Sequence, residues 1–197
     1  MSASNKLRVT SECLGSLCSG SVYEWQLKRL HDKSNKWDVI PILPNMTSTA
    51  VNATNMIIKK HTLQSDAAYR LELFVTSPEG AEGFAMLDFE TAGKPHSGYC
   101  APSVHAGVAL QTKFIFECFE WRDKSMPLTY EFRLGDEPIS YGTSSKSAKV
   151  LFPAGLPKDD YQLEIRVIIK NTVGVAVVHI LFVKVFSFAM LSLFFCF

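Results

Sequence analysis

The sequence predicts an all-β fold made of two tandem antiparallel β-sandwich modules. Short segments in which apolar and polar residues alternate are separated by turn residues at intervals of roughly 8–12 residues, a spacing typical of sandwiches. No segment carries sustained helical periodicity, and the pattern of the first half of the chain returns in the second half. The length of 197 residues fits two small domains.

The first half contains a strand with one buried face. Residues 22–27 alternate, with Tyr23, Trp25 and Leu27 on the apolar side. Further along, Pro41 suits the edge of a sheet because proline cannot donate a ladder hydrogen bond. In chain order after the first strand, the pattern indicates a turn, a short edge strand, a loop and another short strand, over residues 28–36, 37–43, 44–55 and 56–60.

A tyrosine opens the next predicted strand. Tyr69 follows a turn, and its hydroxyl is expected to tie the preceding loop to the strand, as in the tyrosine corner of immunoglobulin-like sandwiches. The inward residues are Tyr69, Leu71, Leu73 and Val75, and the outward ones are Arg70, Glu72 and Thr76. Residues 77–80 then predict a hairpin turn, and residues 84–91 the last strand of the module.

The second half repeats these elements after a linker rich in glycine and proline at residues 93–98. Residues 130–134 match residues 23–27 position by position in residue type. A turn followed by a tyrosine also returns, with Tyr161 lying 92 residues after Tyr69. This interval is about the size of one sandwich module.

We therefore expect two modules related to fibronectin type III or immunoglobulin folds, at residues 1–92 and 93–185. Residues 186–197 form an apolar tail outside this fold. Residues 173–197 are long enough for a membrane span. However, Lys184 would then lie near the midplane, which costs about 2.5–3.5 kcal/mol. For this reason we assign the first part of that stretch to the last strand of the second module.

Composition and motifs indicate a protein without nucleic-acid binding or enzymatic activity. The formal net charge is +1, and the Lys and Arg residues are spread along the predicted strands instead of being clustered. The sequence contains no P-loop, no Rossmann fingerprint and no G-x-S-x-G motif. We expect no catalytic residues and no cofactor.

The five cysteines favour two disulfides. Cys100 and Cys118 are the first expected pair, and closing a loop of that length stabilises by about 3 kcal/mol. Cys13 and Cys18 are the second expected pair, and Cys196 has no partner. The alternative is buried free thiols in a reducing compartment.

Two sequons point to an exported chain. Asn45-Met46-Thr47 and Asn52-Ala53-Thr54 lie in one polar segment, where a surface loop is expected, so that Asn45 and Asn52 are candidate glycan acceptors. The alternative is a pair of chance sequons that never meet the glycosylation machinery. The first 15 residues lack the apolar core of a secretory signal, so we expect an exported chain to be a fragment of something longer or a truncated product.

Metal binding is not expected. Four residues have the ligand types of a zinc site, but a disulfide would remove two of them. These four are His96, Cys100, His105 and Cys118. The adjacent acids Asp159 and Asp160 project to different sides of an extended chain, so they indicate a solvated turn and not a calcium site.

Four aromatic residues are expected to be structural. Trp121, beside Arg122 and Asp123, is expected to cover the edge of a core, with a ligand-facing role as the alternative. The four residues are Trp25, Tyr69, Trp121 and Tyr161.

Residues 93–134 resemble the receptor-for-egg-jelly (REJ) region of the polycystin family. Cys13, Cys18 and Tyr23-Glu24-Trp25 also fit the start of a unit of this type, and the resemblance covers about residues 10–185. The matching features are the Pro/Gly approach to Cys100, the Leu-x-Thr-x-Phe strand from Leu110 to Phe114, Glu117-Cys118-x-x-Trp121, and the Pro-Leu-Thr-Tyr-Glu-Phe strand from Pro127 to Phe132.

The resemblance implies an extracellular module of a large membrane glycoprotein, at the plasma membrane or the cilium. Its partners would be the neighbouring ectodomain modules of the parent chain and a polycystin channel subunit. The module would thus be associated with a calcium channel. Attachment to the membrane would come from segments that follow this region. Channel or receptor activity cannot be carried by these residues, so the implied role is structural, or mechanical and ligand-sensing. Two alternatives remain, namely a stand-alone surface adhesion module and a nonfunctional truncated product.

Overall fold

Residues 1–14, 18–31 and 34–188 are described by the computed structural model of the chain. Thirteen strands lie in these ranges, and no α-helix element is formed there. The chain divides into two compact units, one spanning Met1–Gly93 and one that begins at Lys94. The prediction of an all-β fold is therefore confirmed.

The first unit contains two antiparallel sheets. The larger sheet has the strand order β3-β2-β5-β6, and the smaller one pairs β1 with β4. The strands are β1 (Leu7–Thr10), β2 (Val22–His31), β3 (Lys36–Ile40), β4 (Asn55–Ile58), β5 (Ala68–Thr76) and β6 (Glu82–Glu90).

The core of the first unit lies between these two sheets. Alternate residues of β2 and β5 point to one face, and β4 supplies Met56 and Ile58 from the opposite sheet. The buried residues are Trp25, Leu27, Met56, Ile58, Leu63, Tyr69, Leu71 and Leu73. The residues of β2 and β5 that the alternation predicts to point inward are therefore buried in this core or packed against it.

The second unit has a five-stranded sheet in the order β11-β10-β12-β13-β8, with β8 parallel to β13, and a separate antiparallel pair of β7 and β9. A short 3₁₀ helix covers Pro157–Asp159. The strands are β7 (Tyr99–Pro102), β8 (Ala106–Val108), β9 (Phe116–Phe119), β10 (Thr129–Leu134), β11 (Glu137–Gly142), β12 (Gln162–Lys170) and β13 (Ala176–Phe186).

Aromatic rings fill the core of the second unit. Phe114 lies just before β9 and Phe116 is the first residue of that strand. Both rings contact Phe152, with centroid distances of 5.4 and 6.1 Å. The buried residues of this cluster are Cys100, Phe114, Phe116, Cys118, Leu128, Tyr130, Phe132, Phe152, Ile165, Val167, Ile169, Val183 and Val185.

The two units share a sheet topology. The order β3-β2-β5-β6 of the first unit corresponds to β11-β10-β12-β13 of the second, with the same succession of antiparallel pairs. The matching segments Tyr23–Leu27 and Tyr130–Leu134 lie in corresponding strands, β2 and β10. The repeat in the sequence is thus also a repeat in the sheet order.

The predicted turn at residues 28–36 is wrong at its start, because β2 continues to His31. Lys28 and Arg29 have partners across the sheet. The ammonium of Lys28 lies 2.8 Å from the carboxylate of Glu72, and Arg29 donates a hydrogen bond to Gln64. These contacts stabilise the polar end of β2 in its pairing with β5.

Glu72 differs from its predicted exposure. It lies on the face opposite Leu71 and Leu73, as expected, but it is buried. Its carboxylate also accepts a hydrogen bond from Lys28, so the charge is paired and not solvated.

The strand limits in the second unit also shift from those expected. A strand is expected from Leu110 to Phe114, whereas β9 covers Phe116–Phe119 and Phe114 forms an isolated bridge with Val150. The expected tail begins at Phe186, but that residue ends β13 and its carbonyl accepts a hydrogen bond from Ala109. The rest of the tail, from residue 189 on, lies outside the described residues.

Candidate interaction site

Cys100 and Cys118 form a disulfide in the second unit. They lie directly opposite each other across the β7–β9 pair, with Cα atoms 3.9 Å apart, and both are buried. The bond therefore joins two neighbouring strands of one sheet.

Cys13 and Cys18 form the second disulfide, with Cα atoms 5.7 Å apart. Both pairs expected from the sequence are thus joined in the structure. This second bond closes a loop between β1 and β2 and lies at the surface of the first unit. Cys196 lies outside the described residues.

The two corner tyrosines are held in different ways. The hydroxyl of Tyr69 accepts a hydrogen bond of 2.9 Å from the backbone N–H of Gln64, which ties the loop to β5. Tyr161 lies one residue before β12, not inside it, and its backbone N–H donates to the carbonyl of Leu156. Its ring packs against Phe186 at a centroid distance of 5.3 Å. The expected hydroxyl geometry is therefore seen at Tyr69, and the turn before β12 is closed by the backbone bond of Tyr161.

Trp25 connects the first core to the loop that carries both sequons. Its ring is buried, and its indole Nε1 donates a hydrogen bond of 2.8 Å to the carbonyl of Ala53. Ala53 is the middle residue of the second sequon. Asn45 and Asn52 themselves are exposed, as glycan acceptors must be.

Trp121 covers one side of the second core. It packs against the buried cluster, and its ring meets that of His179 edge-on at 6.0 Å. A Cβ atom at Gly98 would lie 2.3 Å from the Trp121 ring, so glycine is needed for this close approach. The indole N–H of Trp121 is buried without a hydrogen-bond partner. This position is that of a packing residue.

The candidate metal ligands do not come together. Cys100 and Cys118 are consumed by their disulfide, and Nδ1 of His96 lies 2.8 Å from the hydroxyl of Ser97. Asp160 forms an ion pair with Lys184. Within the described residues, no group of three or more His, Cys, Asp or Glu side chains could hold a metal ion.

The first unit contains a cavity of about 660 Å³ on the inner side of β6. The smaller sheet has only two strands, and it leaves part of the larger sheet's inner face open. Leu71, Leu73 and Val75 of β5 line this cavity, as do Cys13 and Cys18. The charged lining residues are the two acids Glu12 and Glu82. This size is in the range of ligand-binding clefts.

The strand that borders this cavity has two chemically different faces. The register with β5 puts Gly83, Ala85, Leu87 and Phe89 on the inner face, and Glu82, Phe84, Met86, Asp88 and Glu90 on the outer face. The inner face of β6 is thus free of polar side chains, whereas the outer face carries three acids. We call β6 and the adjoining cavity the β6 surface.

Arg70 partly neutralises the outer face. Its guanidinium donates two hydrogen bonds of 2.7 and 2.8 Å to Asp88, and these hold the pKa of Asp88 below its usual range. The same guanidinium lies 4.5 Å from the ring centroid of Trp37. Glu82 and Glu90 add negative charge at the two ends of the strand.

Sequence reasoning did not find the β6 surface. One signal was present, because residues 77–91 contain four acids and no Lys or Arg. That signal does not reveal that the strand lies at a sheet edge beside an open cavity, which depends on the number of strands in the facing sheet.

Known proteins resemble this chain in sequence. The family model described as the REJ domain matches residues 1–192. Among curated proteins, the polycystin family receptor for egg jelly of Homo sapiens is 29% identical over 92 residues, which is 46% of this chain. The match covers 4% of that relative, so the chain spans only a small part of its length.

Solved structures with a similar arrangement share little sequence identity. The fibronectin(III)-like modules of Clostridium thermocellum CbhA are 12% identical with a TM-score of 0.43, covering 95% of this chain and 88% of that one. Murine CEACAM1b is 12% identical with a TM-score of 0.37, covering 93% of each chain.

Proposed function

This chain belongs to the REJ domain family, and from that we propose that it serves as a non-enzymatic extracellular module in the ectodomain of a polycystin-like membrane receptor. Its role there is structural, or mechanical and ligand-sensing. The family match over residues 1–192 is the observation that carries this proposal.

Two features of the structure support an extracellular position. The chain contains two disulfides, and disulfides persist mainly in oxidising environments. Both sequon asparagines, Asn45 and Asn52, are exposed in the connection between β3 and β4. The loop that carries them is anchored by Trp25, so a glycan there would project from a fixed part of the surface.

The proposal extends to partners and location. We place the module beside the neighbouring ectodomain modules of a parent chain, and we include a polycystin channel subunit among the partners. The parent would lie in the plasma membrane or the cilium, with its membrane-spanning segments outside the described residues. Within those residues, no helix combines the length and apolar character that a bilayer crossing requires.

Labelling of intact cells tests the extracellular position. Antibodies against the full chain are expected to label cells that express the native protein without permeabilisation. Treatment with a glycosidase that removes N-linked glycans is expected to lower the mass of the immunoprecipitated protein. An Asn45→Gln/Asn52→Gln variant should show a smaller mass change than the wild type, because both exposed acceptors of this module are then removed.

The same experiment separates the alternatives. Labelling only after permeabilisation, with no change in mass, would contradict the proposal. An immunoprecipitated band far larger than 22.0 kDa supports a module within a parent ectodomain, whereas a surface-labelled band near that mass supports a stand-alone adhesion module.

A further inference from the structure

The outer edge of β6 is long and regular. The strand ends the four-stranded sheet, and its nine residues pair with β5 without a break in register. At its far end, Met1 donates a hydrogen bond to the carbonyl of Glu90, and Ala92 donates one to the carbonyl of Met1. Among the described residues, no strand pairs with the rest of this edge.

The outer edges formed by β3 and β11 are protected. β3 has five residues and is followed directly by Pro41. β11 contains Pro138 and pairs with β10 through a register shift. β13, which corresponds to β6 in the second unit, is paired with β8 at its last three residues, and among the described residues no strand pairs with the rest of that edge. Short strands, prolines and irregularities are the usual protection of sheet edges, and β6 has none of them.

The free backbone groups of β6 can be assigned to individual residues. At the two ends of the hairpin, Ser77 donates to the carbonyl of Ala81, and Thr91 donates to that of Ala67. In an antiparallel pair, the backbone N–H and C=O groups of one residue point to the partner strand, and those of the next residue point away from it. The alternation from these two points directs the backbone N–H and C=O groups of Phe84, Met86 and Asp88 to the free edge.

The corresponding strand of the second unit shows that this sheet position accepts another strand. β8 lies parallel to β13, with Ala106, Gly107 and Val108 opposite the last three residues of β13. Met1 makes its two backbone bonds at the equivalent end of β6. The remainder of the β6 edge has the same backbone chemistry without a partner strand.

We propose that the β6 surface binds an extended segment of another polypeptide, which adds as a fifth strand and carries apolar and basic residues in alternation. Apolar side chains on one face of that segment would enter the cavity beside Ala85 and Leu87. Basic side chains on its other face would lie beside the acids of β6, chiefly Glu82 and Glu90. This inference rests on the fold of the first unit and is independent of the proposed function.

A peptide probe tests this inference directly. The probe is the acetylated, amidated and fluorescently labelled peptide KVKVKVK, whose valines share one face of a strand and whose lysines share the other. We expect saturable binding to the purified full chain in fluorescence anisotropy. The peptide VVKKKKV has the same composition without alternation, and EVEVEVE has the opposite charge. Both are expected to bind at least about tenfold more weakly.

A matched pair of variants tests the backbone ladder. Met86→Pro removes an N–H that points to the free edge, while the bonds between β6 and β5 are made by other residues. Met86→Ala shortens the same side chain but keeps the N–H. We expect Met86→Pro to weaken KVKVKVK binding about tenfold relative to Met86→Ala, with both variants keeping the circular dichroism spectrum of the wild type.

Two outcomes would overturn the inference. One is no saturable binding of KVKVKVK to the wild-type chain, and the other is equal binding by Met86→Pro and Met86→Ala. If Met86→Pro fails to fold, the wild-type chain is titrated with KVKVKVK that is N-methylated at its valines. The comparison peptide is KVKVKVK that is N-methylated at its lysines. Equal and undiminished binding of both methylated peptides would contradict strand addition.

Discussion

Replacing Phe116 by alanine is expected to lower the free energy of unfolding of the second unit by about 3–5 kcal/mol. The ring is completely buried and contacts Phe152, which also contacts Phe114. Removing it leaves a cavity that these two large rings cannot close. Both backbone groups of Phe116 are bonded to Ser147, and these two hydrogen bonds oppose an inward movement of the strand that would fill the space.

Hydrogen exchange measures this effect for each unit separately. Amide protection in β12 should fall in the Phe116→Ala variant, while protection in β5 should not change. Phe182→Ala is the matched control in the same unit, because that ring is more than half exposed, and its removal should change stability by at most about 0.5 kcal/mol. Equal losses for Phe116→Ala and Phe182→Ala would show that the aromatic cluster is not the core of the unit.

Removing the Cys100–Cys118 disulfide is expected to destabilise the second unit by about 3 kcal/mol. The bond closes a loop with a sequence separation of 18 residues, and its loss increases the freedom of the unfolded chain. The Cys100→Ala/Cys118→Ala variant keeps the size of the side chains close to that of the thiols and adds no polar group. Its unfolding in urea should occur at a clearly lower concentration than that of the wild type.

The Cys13→Ala/Cys18→Ala variant provides the comparison. Its loop has a separation of five residues and lies at the surface of the first unit, so the second unit should keep its stability. Reduction with a thiol should lower the stability of the wild type but not that of a variant in which the four disulfide-bonded cysteines are all replaced by alanine. An unchanged urea midpoint in Cys100→Ala/Cys118→Ala would contradict a structural role for this bond.

The central strands of both units could be predicted from the sequence. Trp25, Leu27, Leu71 and Leu73 alternate with polar residues, and a half-buried strand requires that alternation. Tyr130 lies in a strand equivalent to that of Tyr23 because the same pattern returned after the linker. Local periodicity is sufficient to predict a strand and its buried residues where one face of that strand packs against a core.

Other strands could not be predicted because their partners are distant in the sequence. β1 has four residues and is defined by its pairing with β4, whereas β8 has three and is defined by β13. Glu72 shows the same limit for a single side chain. Its burial depends on Lys28, which lies 44 residues away and becomes a neighbour only when β2 and β5 pair.

The site was predicted in part. Both cysteine pairs were expected, with free thiols as the alternative, and the sequon asparagines were expected in a surface loop. The β6 surface did not follow, since Leu87 has the pattern of a core residue but is exposed, and the sheet of β1 and β4 has two strands against the four of the larger sheet. The number of strands in the facing sheet depends on the fold of the whole unit, so it cannot be predicted from the pattern of one segment.

Non-reducing peptide mass spectrometry of the native protein tests most directly the claim that this is a disulfide-bonded extracellular module. We predict that proteolysis yields one linked peptide containing Cys13 and Cys18, and another containing Cys100 and Cys118. Free thiols at Cys100 and Cys118, or a bond between Cys18 and Cys118, would contradict the account.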